Sequence, residues 1–115
     1  MSSADDSAQA IVEKIQAAGI RATTDPGALN PPAVLVGTVP HRSFDVRCGY
    51  TATWTLHALA GAPTRGDRTT GAQLNAMCDV LAGVLPLAEA VPLAYVLRDK
   101  SHDSYLITFT EVISL

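Results

Sequence analysis

The sequence predicts an α+β domain: a mostly antiparallel four-stranded sheet with two helices packed on one face, in the order α-β-β-α-β-β. Two stretches with apolar residues at helical spacing give the helices. A strict alternation over residues 50–60 gives a half-buried strand, and apolar runs at 33–36, 93–98 and 105–115 give the others. One sheet with both helices on the same face satisfies the helix stripes and the strand alternation together.

Ser3 is placed to cap the first helix, and Asp5 and Asp6 suit its electropositive end. Ala8, Ile11, Ile15 and Ala18 share one side of it, and Gly19 is placed to end it. Residues 20–24 read as a short extended piece, and Asp25-Pro26-Gly27 is a turn signal. Pro31 and Pro32 fix φ and lack an N–H, so they disfavour helix and lead residues 33–36 into a strand that has room to run to Val39. Residues 40–49 are polar, with Arg42, Asp45 and Arg47 around Phe44, and read as a loop or the flared tip of a hairpin. A lone Phe between arginines marks a contact surface.

In the next strand Tyr50, Ala52, Trp54, Leu56 and Ala58 fall on one face, and Thr51, Thr53, Thr55 and His57 on the other. The first face packs on a core, and the second meets water or a partner subunit. Residues 61–71 form a polar connector. Leu74, Cys78, Leu81 and Leu85 then mark an amphipathic helix that Pro86 ends. The last two strands, 93–98 and 105–115, are joined by the polar stretch 99–103, which has hairpin length.

Length and composition fit one domain over residues 1–115. The chain is 48% hydrophobic and 17% charged, which is globular, and its 5% aromatic content makes the core aliphatic. A net charge of −3 without a clustered basic excess argues against nucleic-acid binding. Charge signs alternate along the chain: acidic over 1–25, basic over 42–68, acidic over 79–115. A head-to-tail self-contact can use that asymmetry, although a solvated surface explains it as well. The start is acidic and has no apolar signal-peptide core, and Pro86, Glu89 and Pro92 interrupt the apolar stretch 80–97, so a soluble protein is expected. Two cysteines, Cys48 and Cys78, fit reduced positions and a cytoplasmic setting.

Chemistry-bearing patterns are sparse. Ser101-His102-Asp103 has the letters of a hydrolytic triad, but three consecutive residues cannot set a base between nucleophile and carboxylate. His41, Cys48, His57 and Cys78 lack the close ligand pairs of a zinc site, and the glycines fit no phosphate-cradling frame. Arg65-Gly66-Asp67 reads as a flexible loop. No catalytic residue, cofactor or metal is expected, and the chain is not expected to be an enzyme.

The helix, then LNPPAVLVG, a long polar tip, TATWTLHAL, the helix LNAMCDVLAGVL and the closing YLITFTEVISL together resemble the tail terminator proteins of long-tailed siphophages, the group similar to phage lambda gpU. The resemblance covers residues 11–115 and is particularly to the terminators of phages of actinobacteria, with CGYTATW as its second feature. It implies a small α+β subunit that forms a six-membered ring on the end of the tail tube, stops tube polymerisation and presents a surface to head-completion or neck proteins. It places the protein at the head-proximal end of the virion tail, after assembly in the host cytoplasm. Arg42, Phe44, Arg47, Arg65 and Arg68, on the 40–49 tip and the 61–71 loop, are the expected contact residues. Competing readings are another head–tail connector protein, a small-ligand domain with a pocket lined by Tyr50, Trp54 and Tyr95, and a dimerisation module pairing through 105–115.

Overall fold

The structure, a computed structural model, describes residues 3–44, 49–61 and 69–114. Helix α1 (Ser3–Ala17) buries Ala4, Ala8, Ile11, Val12 and Ile15, a stripe of three- and four-residue steps. Gly19, at φ +91, takes the left-handed conformation that ends it. The chain then forms β1 (Ala22–Thr23), a single 3₁₀ turn over Pro26–Ala28, β2 (Ala33–Val36), β3 (His41–Ser43) and β4 (Gly49–Leu59). Helix α2 (Thr69–Val84) and the hairpin of β5 (Glu89–Leu97) with β6 (Lys100–Ser114) complete it.

The α+β class with two helices stands, but the sheet has six strands instead of four and is mixed. Its order is β1-β2-β4-β6-β5, with β3 also on β4. The additions have physical reasons. β1 runs parallel to β2, and Val34 N–H donates to Arg21 O at 2.9 Å, so the short extended piece becomes a strand. β3 forms inside the stretch 40–49, expected as a loop or the flared tip of a hairpin, because it continues antiparallel along β4 after a two-residue excess between Val36 and His41 relative to β4. That excess also stops β2 at Val36, short of Val39, which is 86% exposed.

The polar stretch 99–103 is mostly strand. Only Arg98 and Asp99 turn, both at positive φ, as a two-residue hairpin of type I′ requires. Lys100 onward pairs with β5, which begins at Glu89 and carries Pro92 inside it.

The main core lies between the helices and one sheet face. Ile11, Ile15, Leu81 and Leu85 meet Val34, Tyr50, Trp54, Leu56, Ile107 and Phe109 there. Met77 rather than Cys78 completes the α2 stripe, and Cys78 is half-buried. A smaller cluster of Leu29, Ala33, Leu35, Leu59 and Leu97 sits on the opposite face at one end of the sheet. Arg98 Nη2 donates to Gly27 O at 2.9 Å and ties the β5–β6 turn to the loop above that cluster. No helix among the described residues is long and apolar enough to cross a membrane.

Candidate functional site

β4 pairs with β6 along its whole length, from Gly49 opposite Ser114 to Leu59 opposite Ser104. Both helices sit on one face of that ladder, and among the described residues the other face carries no helix and only the small cluster at one end. Thr53 faces Thr110 and Thr55 faces Thr108 on this other face, as cross-strand pairs of short polar side chains. Val91, Leu93 and Val112 stand on the same face, exposed to 41%, 45% and 66%. His57 is half-buried among them, its ring 4.9 Å from that of Tyr95. Its Nδ1 is buried without a hydrogen-bond partner, and desolvation pushes its pKa below the ordinary 6.5.

The outer strand β5 is apolar and mostly exposed. The two-residue turn makes Leu97 and Lys100 a hydrogen-bonded pair, and alternation then puts Pro92 opposite Tyr105 in a non-hydrogen-bonded one. The N–H that proline lacks would have pointed outward. Pro92 therefore costs β5 no bond to β6 and blunts its edge against a further strand.

Besides the two-residue outer strand β1, two further stretches of edge among the described residues carry no proline. Ala60 N–H donates to Asp103 O at 3.0 Å, so odd-numbered residues of β6 turn their backbone groups to β4 and even-numbered ones away. β5 covers that outer side only as far as Thr108, so the groups of Thr110 and Val112 face outward beside no described strand. On the opposite side of the sheet, Gly37 N–H donates to Thr55 O at 3.0 Å. The same alternation makes Arg42 the residue of β3 whose backbone groups face outward.

Two of the residues singled out in the sequence come together here. The Arg42 guanidinium carbon lies 4.8 Å above the centre of the Tyr50 ring, and the Phe44 ring is 5.5 Å from it. Arg42 is exposed and Phe44 is 65% exposed, so both present themselves at the end of the β3 edge. Arg47, Arg65 and Arg68 lie outside the described residues.

The other constellations are dispersed. His102 is buried with Nδ1 3.2 Å from Ala60 O, whereas Ser101 and Asp103 point to the opposite face, where Asp103 accepts a hydrogen bond from Thr70 Oγ1 at 3.2 Å. Tyr50 and Trp54 are sealed in the helix-side core at 1% and 0% exposure, while Tyr95 packs on the other face, so these three line no common pocket. His57 and Cys78 lie on opposite sides of the sheet, and no group of three metal-ligating side chains occurs among the described residues. A cleft of about 450 Å3 runs between α2 and the β5–β6 hairpin, lined by Leu74, Asn75, Pro92, Ala94, Asp103 and Tyr105, and it is open to solvent.

Sequence reasoning missed β5 as the sheet's outer strand, although EAVPLAYVL carried the signal: a proline inside an apolar run marks an edge. Comparison with protein-family models, with characterised proteins and with solved structures finds no match to this chain.

Proposed function

We propose that this chain is a structural subunit that joins copies of itself into a ring, six-membered as the resemblance implies. The ring caps the tail tube of a long-tailed phage, ends its polymerisation and offers a surface to the head-completion or neck protein. The observation that carries this reading is the pair of unlike open edges, β3 on one side of the sheet and the end of β6 on the other. A contact between unlike surfaces repeats with the same rotation, and it closes into a ring when that rotation divides the circle. The blunted strand β5 supports the second half of the reading. Its exposed Val91, Leu93 and Val96 offer apolar side chains to a different protein without inviting another strand.

The test combines light scattering of the purified chain over a wide concentration range with tube polymerisation by the tube protein of the same phage. Rings of six subunits, and tubes that stop growing when the chain is added, are expected. Rings that leave tube growth unchanged would assign the chain to the neck instead. A monomer that also leaves tube growth unchanged would overturn the reading.

A further inference from the structure

The two open edges match in register, and this identifies the contact between neighbouring copies. Arg42 on β3 faces Ala52 on β4, and Ala52 faces Glu111 on β6. Arg42 and Glu111 thus lie on one rung of the sheet and project to the same, helix-bearing face, one at each outer edge. β3 is antiparallel to β4 and β4 to β6, so β3 and β6 run in the same direction.

We propose that copies join side by side through parallel pairing of β3 of one copy with residues 110–114 of the next, so that the sheet continues across the junction. The inference rests on the ring reading and names the surfaces that build the ring. In a parallel ladder, a residue opposite position j bonds to positions j−1 and j+1. Arg42 set opposite Glu111 of the neighbour meets this requirement with the groups left open. Its N–H reaches the carbonyl of Thr110, and its carbonyl receives the N–H of Val112. The same alignment puts the guanidinium of Arg42 beside the carboxylate of Glu111, which uses Oε1 to accept the Trp54 indole N–H at 3.0 Å and keeps a second oxygen. It also sets Ser43 beside Val112, whose side chain is 66% exposed in the single chain. β5 cannot substitute for either partner, because Pro92 interrupts its outward groups.

The test uses charge reversal with mixing, read as mass by light scattering. Arg42→Glu alone places like charges at every junction, and so does Glu111→Lys alone. Each is expected to raise the concentration needed for assembly about tenfold. An equimolar mixture of the two restores opposite charges at every junction and is expected to assemble like the wild type, in alternating order. Circular dichroism checks the fold of each variant. Should Glu111→Lys fail to fold, Val112→Pro serves in its place. It removes an outward N–H and no bond to β4, and it is expected to leave a folded monomer. Wild-type assembly with Arg42→Glu and Val112→Pro assembling equally well overturns this contact and leaves the ring reading intact. A wild type that stays monomeric at every concentration and on the tube overturns both.

Discussion

Gly49 opens β4 close against the backbone of β6: a methyl group built on it would overlap the carbonyl oxygen of Ile113. Because the obstacle is backbone and not a movable side chain, Gly49→Ala is expected to destabilise the fold by about 1–3 kcal/mol. A lower urea midpoint with an unchanged m-value would show it. His57 makes a pH prediction. Its folded-state pKa lies below the unfolded 6.5, so the unfolded chain binds the proton more readily. The stability associated with neutral His57 is complete above pH 6.5 and declines as the pH falls through that value towards the folded pKa. Urea midpoints of the wild type should therefore drop as the pH falls below 6.5, and His57→Gln should flatten that slope. At this scale the sequence marked Arg42 and Phe44 among the expected contact residues, because charge and an aromatic ring in a polar stretch are visible in the letters, and the structure places both exposed at the end of β3. The sequence did not expose the partner ring of Tyr50, whose place beside them depends on the β3–β4 register.

Among the elements, β5 joins an apolar surface to a blunted edge. Pro92→Thr restores the missing outward N–H and raises strand propensity, so it is expected to turn β5 into a pairing edge. Light scattering should then report open-ended growth or precipitation at concentrations where the wild type forms a defined species, while circular dichroism stays close to wild type. Helices and the long central strand were legible in the sequence, because each carries its own period: Ile11 and Ile15 on α1, Leu74 and Leu81 on α2, Trp54 and Leu56 in the alternation of β4. The short strands were legible only as an extended piece at 20–24 and as a loop or hairpin tip at 40–49, without their pairing. Two residues of β1 and three of β3 hold no period at all, and they are strands only because β2 and β4 lie beside them. The 99–103 stretch misled for a related reason. Its polar residues suit a turn, yet two left-handed residues suffice to reverse the chain, and the rest is drawn into the ladder with β5.

The whole molecule is elongated, with principal extents of 51 × 25 × 24 Å, because the β4–β6 ladder and the β5–β6 hairpin are offset along a shared strand. Val91→Lys with Leu93→Lys places two charges on the face opposite the helices, away from both the β3 edge and the end of β6. On the proposed ring reading, the double variant is expected to fold, to form rings and to have no effect on tube length. Loss of ring formation instead would move the self-contact onto that face. The α+β class with two helices could be inferred from local patterns, but the six-stranded mixed sheet, with β3 paired on one side and β5 on the other, is a property of the folded chain. That is why the open edges emerge only in three dimensions. Trp54 is the single tryptophan of the chain, wholly buried and bonded through its indole to Glu111. The protein thereby carries its own optical probe: emission from one fixed, dry position that shifts red on unfolding, and whose intensity responds to any change at the Glu111 carboxylate, with no dye attached.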